Sequence, residues 1–190
     1  MTDKIFITGP HTIDKLSIAK GLIEYNDNLS IGERFTNDIE YKDSENDKYI
    51  YYLSTQSIDL TYKNNFMLFV NTNNYISTGI TMDSYYNSDI FVMEMEEFNN
   101  ISDNIFKSES TDIIVIWIDS NYNKHENVYK NDIVESSFLE QRLFNDNIKY
   151  MYFYNEDTES IVNTILRYLE SSPEDRENIL LENNWIIEFA

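Results

Sequence analysis

The sequence has no cysteine, only two prolines and four glycines, and two histidines that stand far apart. The absence of cysteine excludes disulfide bonds, thiol catalysis and thiolate metal sites. Neither His11 nor His125 belongs to an HxxxH or HExxH pattern, so the sequence does not favour a metal site. No GxSxG elbow and no Ser–His–Asp order is present, so a hydrolase has no support. No apolar run is long enough to span a bilayer, and the first residues lack the order of a secretory signal. We therefore expect a soluble, cytoplasmic protein.

Positive charge is also scarce: 14 Lys and Arg residues stand against 34 Asp and Glu, for a formal net charge of −20. Such a surface repels phosphodiester backbones, which predicts that nucleic acid is not a partner. Nothing in the sequence indicates a membrane partner. The charge also opposes small anionic ligands, unless a local cluster of amides and cations overrides it. At 190 residues, 42% of them hydrophobic, the chain suffices for one domain with a sizeable core.

The apolar pattern alternates strands with helices. Strands are predicted at 4–8, 47–54, 64–71, 75–79 (a strand or a turn), 89–95, 111–120 and 148–155. Helices are predicted from 13 onward, at 55–63, 96–106, 133–144 and 157–171, and from 173 onward. Asp157 is a candidate N-cap, and Pro173 is a plausible first residue of the last helix. This order predicts an α/β fold, namely a three-layer domain with a mostly parallel sheet.

The stretch GPHTIDKLS at 9–17 nearly matches the phosphate-loop pattern GxxxxGK[ST]. Gly9 and Lys15 are in place, between a predicted strand and a predicted helix. Asp14, however, puts a Cβ and a negative charge where the backbone should be bare and often has a positive φ. Leu16 replaces the hydroxyl that would bind Mg²⁺, and Ser17 lies one residue too far along the helix. The stretch is either a degenerate phosphate loop or a strand–helix turn with an N-cap.

Several segments, taken in order, resemble the guanylate kinase family. Residues 49–80 resemble that family's "YxFVS…FlEw…YGTS" portion, "VMEME" at 92–96 resembles its "ILDID" strand, and 148–170 resemble its last strand, turn and helix. The resemblance implies a P-loop NTPase-like fold in the guanylate kinase arrangement. It divides the chain into a domain at 1–172, with a nucleoside-binding insert at 31–88 and a short lid at 121–132, and a C-terminal helix or tail at 173–190.

The resemblance also assigns roles to individual residues. Gly9, Lys15 and Ser17 would contact the nucleotide phosphates, and Lys15 would be the catalytic residue. The substrate-binding positions that the resemblance implies are Arg34, Tyr75, Ser77, Thr78, Glu94 and Glu96. In that family the equivalent residues hold the GMP phosphate, lie near the Mg²⁺ and read the guanine. The implied cofactors are ATP and Mg²⁺, and Asp14 and Leu16 predict that their binding is weak or absent.

Departures from the family pattern bear on activity. Leu68 falls on the base-reading glutamate, Ile50 falls on a strand tyrosine, and the lid segment has no arginine. A transition-state arginine is typically worth ~10³ or more in rate. The leading interpretation is therefore a guanylate kinase-like pseudoenzyme, a binding module for a protein partner or a nucleotide.

Two other interpretations stay open. The first is a diverged nucleoside monophosphate kinase that transfers phosphate from ATP to GMP or another monophosphate. The second is an interaction protein whose C-terminal segment, "NILLENNWIIEFA" at 178–190, docks on a partner. The sequence leaves open the partner, the preferred base and the oligomeric state.

Overall fold

The structure is a computed structural model that describes residues 3–9, 14–42, 49–63, 67–73, 76–93, 113–119, 148–154 and 156–183. The strands are β1 (Lys4–Thr8), β2 (Arg34–Thr36), β3 (Ile50–Tyr52), β4 (Met67–Asn73), β5 (Ile76–Thr81), β6 (Ile90–Val92), β7 (Ile113–Asp119) and β8 (Ile148–Tyr154). The helices are α1 (Lys15–Tyr25), α2 (Thr55–Lys63), α3 (Met82–Asn87), α4 (Thr158–Glu170) and α5 (Pro173–Glu182), and Ile39–Tyr41 form a 3₁₀ turn.

The central sheet has the strand order β6-β1-β7-β8, and every pairing in it is parallel. All five residues of β1 are buried, because this strand lies between β6 and β7, with Ile5 opposite Ile90 on one side and Ile114 on the other. The predicted strands at 4–8, 89–95, 111–120 and 148–155 are confirmed, each within one to three residues of its expected ends where those ends are described. The α/β fold with a parallel sheet is thus present.

The main core lies on one face of the central sheet, under α1 and α4. Alternate residues of β1 point to this face, as the two-residue period of a strand requires. The buried side chains that pack together there include Ile5, Ile7, Ile18, Leu22, Met151, Phe153, Ile161 and Ile165. Burying each such side chain contributes about 1.5–3 kcal/mol, so this cluster dominates the stability of the domain.

The ends of α4 and α5 are set by capping residues. The Asp157 carboxylate accepts a hydrogen bond from the Ser160 amide at 2.9 Å, which confirms the predicted N-cap of α4. Pro173 is the first residue of α5, as predicted, and Ser172 caps that helix. Both caps satisfy amide groups that a helix N-terminus leaves without a partner.

The small sheet, which we define as β3-β2-β5-β4, is mixed. β2 is parallel to β3 and antiparallel to β5, and β5 is antiparallel to β4. The helix predicted at 55–63 is confirmed as α2, and the described part of 75–79, which begins at Ile76, belongs to the strand β5. The strand predicted at 47–54 is shorter than expected, and the sequence indicated neither β2 nor α3.

Several predicted features lie outside the described residues. They include the helices at 96–106 and 133–144, which the three-layer prediction requires, and the lid at 121–132. Within the part of the chain that the structure describes, no helix is both long and apolar enough to cross a membrane.

Candidate functional site

The candidate phosphate loop begins where β1 ends. Gly9, the residue after the strand, is buried and has a φ of 149°, in a region of backbone space that residues with a side chain rarely adopt. The glycine is therefore required here by the backbone. Residues 10–13 of the loop lie outside the described residues, and the chain is described again from Asp14.

Lys15 is the first residue of α1 and turns back toward the loop. Its side chain is only 4% exposed, and its Nζ donates a hydrogen bond to the Gly9 carbonyl at 3.3 Å. The ammonium thus lies at the carboxyl end of a central parallel strand, the edge at which open α/β sheets bind ligands. The structure places Gly9 and Lys15 together, as the phosphate-loop pattern predicts.

Asp14 is the N-cap of α1. Its Oδ1 accepts a hydrogen bond from the Ser17 amide at 3.1 Å, and its Oδ2 accepts one from the Ser17 hydroxyl at 2.5 Å. The hydrogen bond from the Ser17 hydroxyl is the main cause that lowers the pKa of Asp14 below the usual value of an aspartate. Burial opposes this shift, and the Ser17 amide and the Lys20 charge add to the lowering. A carboxylate therefore holds the position at the helix N-terminus that favours an anion.

The backbone of Asp14 differs from that of a working phosphate loop. Such a loop often has a positive φ at this position, but Asp14 has a φ of −76°, and the positive φ belongs to Gly9. The reason is that the N-cap conformation suits an aspartate, so the backbone need not be left-handed there. The N-cap that the sequence offered as part of a strand–helix turn is therefore present at Asp14.

Thr8, the last residue of β1, lies beside the loop and was not indicated as a site residue by the sequence. Its hydroxyl oxygen is fully buried and has no hydrogen-bond partner among the described residues. A buried hydroxyl without a partner costs about 1–3 kcal/mol, so this position marks the end of β1 as unusual. The only signal in the sequence was a polar residue at the end of an otherwise apolar strand.

A second group of predicted residues lies on the small sheet. Thr78 of β5 is directly opposite Thr36 of β2, and Arg34 lies two residues before Thr36 on that strand. Because side chains alternate along a strand, Arg34 and Thr78 share one face of the sheet, whereas Ser77 lies on the other face. Ser77 is 7% exposed. The structure thus brings two of these three residues to the same face.

Asn37 joins the strands at this end of the small sheet. Its side-chain oxygen accepts from the Ser77 amide at 2.6 Å, and its own amide donates to the Ser77 carbonyl at 3.1 Å. Its side-chain nitrogen donates to Thr55 Oγ1, at the start of α2, at 2.8 Å. Asn37 therefore fixes Ser77 from both sides, a role that the sequence signalled only as an Asn-Asp break.

The other face of β2 carries an exposed pair. The Tyr51 hydroxyl donates to Glu33 Oε1 at 3.1 Å, and this hydrogen bond to a carboxylate raises the pKa of Tyr51 above 10.0. The Tyr51 ring also packs against Phe35 at 5.8 Å between centroids. These contacts flank Arg34 along the chain and fix the conformation of β2.

Three predicted substrate residues, Tyr75, Glu94 and Glu96, lie outside the described residues. In the described ranges, no group of three or more His, Asp or Glu side chains could hold a metal ion. Among the loop residues that the structure describes, Leu16 offers no oxygen and the Ser17 hydroxyl is donated to Asp14, so these two residues do not fit an ATP–Mg²⁺ complex.

The described residues form an α/β domain with a parallel central sheet and a second, mixed sheet. The crystal structure of guanylate kinase from Anaplasma phagocytophilum is similar to this chain with a TM-score of 0.56 and 13% sequence identity, over 88% of this chain and 84% of that one. At this identity, the likeness establishes the fold alone. No protein-family description and no curated protein matches the sequence.

Proposed function

We propose that this chain is a guanylate kinase-like protein without phosphoryl-transfer activity, which acts by binding a protein partner. The observation that carries the proposal is the Asp14 carboxylate, which caps α1 through the Ser17 amide and hydroxyl. The loop would therefore be a degenerate phosphate loop, whose anion position is filled by the chain's own carboxylate. On this view, residues 31–88 are a former nucleoside-binding insert and 121–132 a former lid.

Electrostatics support the proposal. At an effective dielectric constant of about 20, two negative charges about 4 Å apart repel by about 4 kcal/mol. Water around an exposed carboxylate reduces this energy, so a penalty of about 10- to 100-fold in phosphate affinity is reasonable. The net charge of −20 adds to the repulsion, and Leu16 removes the usual Mg²⁺ ligand.

The test is to restore the loop and compare nucleotide binding by calorimetry. We expect the wild-type protein to bind neither ATP–Mg²⁺ nor GMP at millimolar concentration and to produce no ADP. The variant Asp14→Gly with Leu16→Ser should gain at least about 10-fold in affinity for ATP–Mg²⁺. Asp157→Gly is the matched control, because Asp157 is also an aspartate N-cap but belongs to α4.

The control separates loss of a helix cap from loss of the carboxylate at the loop. Both cap losses lower stability by a few tenths of a kcal/mol, since glycine is a tolerable N-cap. Only the loop variant should gain nucleotide affinity. ADP production by the wild-type protein with GMP that disappears in Lys15→Ala would overturn the proposal.

A diverged nucleoside monophosphate kinase is the second candidate function. Lys15 and Thr8 favour it, because the Lys15 ammonium is held over Gly9 and the buried Thr8 hydroxyl at the same strand end has no hydrogen-bond partner among the described residues. Both features suit a loop that receives a ligand. The ADP measurement with Lys15→Ala decides between the two candidates, since a binding module predicts no turnover to lose.

A further inference from the structure

Lys4 is a buried lysine on the central strand β1. Its side chain is 8% exposed, although lysine is seldom buried unless its charge is paired. Its Nζ donates to the carbonyl oxygens of Tyr85 at 2.7 Å and Ser88 at 2.6 Å, with Tyr86 O at 3.4 Å. These carbonyls belong to the last turn of α3 and the residue that follows it.

The chemistry of this contact is that of a cation at a helix C-terminus. The last carbonyls of a helix have no partners within the helix, and a positive charge there is favourable. The Lys4 ammonium also lies 5.3 Å from the centroid of the Tyr85 ring, which adds a cation–π contact. Moving α3 away from β1 would leave a buried ammonium with lost hydrogen bonds, which is costly.

Aromatic packing surrounds the same junction. The Phe6 ring of β1 stacks on the Phe91 ring of β6, with 5.2 Å between the ring centroids. The Phe91 ring also stacks on the Tyr85 ring of α3, with 5.5 Å between the ring centroids. Gly32 lies so close to Phe91 that a Cβ there would be 2.3 Å from the ring. The chain passes between the two sheets twice, once near Gly32 and once between α3 and β6. Both connecting segments are therefore closely packed.

Asp89 and Ser30 form a hydrogen-bonded pair that joins these two connecting segments. Asp89 Oδ2 accepts from the Ser30 amide at 3.0 Å and from the Ser30 hydroxyl at 2.9 Å. The Asp89 and Ile90 amides donate back to the Ser30 carbonyl at 3.0 and 2.9 Å. This pair fixes the two connecting segments to each other, whereas Lys4 connects α3 directly to β1 through hydrogen bonds.

We propose that Lys4 is a positioning residue that holds α3 and the small sheet in one orientation against the central sheet. The two parts of the candidate site, the loop with Lys15 and the face with Arg34 and Thr78, then keep a constant separation. Lys4 does so through the three carbonyl oxygens that its ammonium group contacts. The proposal does not depend on whether the site binds a nucleotide or a protein.

The first experiment measures the separation directly with spin labels. The chain has no cysteine, so labels on Tyr25→Cys of α1 and Leu60→Cys of α2, both exposed positions, report only this pair. With Lys4 present, we expect one narrow distance distribution. Adding Lys4→Met should broaden it at least about twofold or add a second peak, as two orientations become populated.

Two controls accompany this experiment. Lys20→Met removes an exposed lysine of α1 and should leave the distribution unchanged, whereas Lys4→Arg keeps a positive donor and should retain most of the narrow peak. A broad distribution with native Lys4, or an unchanged narrow one in folded Lys4→Met, overturns the proposal.

Hydrogen exchange on the wild-type protein keeps the proposal testable if Lys4→Met does not fold. We expect the amides of Tyr85, Tyr86 and Asn87 to exchange only through the same opening as those of β1, because α3 cannot leave without breaking the Lys4 contacts. Exchange of the α3 amides at least about tenfold faster than those of β1 would overturn the proposal. Both experiments are done without nucleotide, so their outcome is separate from that of the loop restoration.

Discussion

The N-cap at Asp14 gives the sharpest stability prediction. Substituting Asp14→Ala removes the two hydrogen bonds that the carboxylate accepts from Ser17. Loss of an aspartate N-cap typically costs about 1 kcal/mol, within a range of about 0.5–2 kcal/mol. For a domain of this length, that corresponds to a fall in Tm of about 2–4 °C. Urea unfolding at pH 7, monitored by circular dichroism, measures the change in the free energy of unfolding.

The pH dependence of that difference tests its electrostatic origin. The pKa of Asp14 is lowered in the folded protein, so the folded state prefers the charged carboxylate. Its contribution is fully present above the unfolded value of about 3.9 and is lost as the pH falls through the lower, folded value. The stability gap between wild type and Asp14→Ala should therefore be constant from pH 7 to pH 5 and narrow below about pH 4.

Two variants serve as references for this series. Asp14→Asn keeps an oxygen that can accept from the Ser17 amide, so it should lose less stability than Asp14→Ala. Asp27→Ala removes an exposed carboxylate that lies just beyond the end of α1. It should change the free energy of unfolding by less than about 0.5 kcal/mol. If Asp14→Ala is as stable as wild type at pH 7, or if the gap widens in acid, Asp14 is not a stabilising cap.

Two further variants test the packing and the C-terminal segment. Gly32→Ala places a Cβ 2.3 Å from the Phe91 ring, so it should lower the free energy of unfolding by about 1–3 kcal/mol in a urea titration. Gly21→Ala should cost less, because its Cβ would lie 2.9 Å from the nearest atom, a methyl group of Val162. Truncation after Asn183 keeps the hydrogen bond from the Tyr152 amide to the Asn183 carbonyl, so Tm should change little. Any self-association seen by analytical ultracentrifugation should be lost. A truncated chain that unfolds would mean that residues 184–190 belong to the core.

Elements with a strong local pattern could be predicted from the sequence. β7 has a near-continuous apolar run, and α4 combines helical apolar spacing with the Asp157 cap, so both were found close to their observed ends. β2 has three residues and α3 has six, which is too short for either period to be recognised. Their existence depends on pairing with distant parts of the chain.

The residues of the candidate site show the same difference between local and long-range determinants. Gly9 and Lys15 belong to one local motif, so the sequence could indicate them together. The contact of Asn37 with Ser77 joins residues 40 apart, and no local pattern encodes it. Lys4 illustrates the limit best: in "KIFIT" it looks like an exposed charge at the start of a strand, and only the position of α3 makes it a buried partner of helix carbonyls.

The place of β1 in the central sheet has a consequence for synthesis of the chain. β1 is translated before β6 and β7, yet it lies between them in the sheet, and Lys4 is paired with Ile113. Its apolar side chains therefore cannot pack until strands more than 80 residues further along the chain have been synthesised, whereas the small sheet is built from strands close in sequence. Contacts at such long separation form slowly. On the ribosome, β1 thus remains an exposed apolar segment until β6 and β7 have emerged, and this interval is when chaperones would bind the nascent chain.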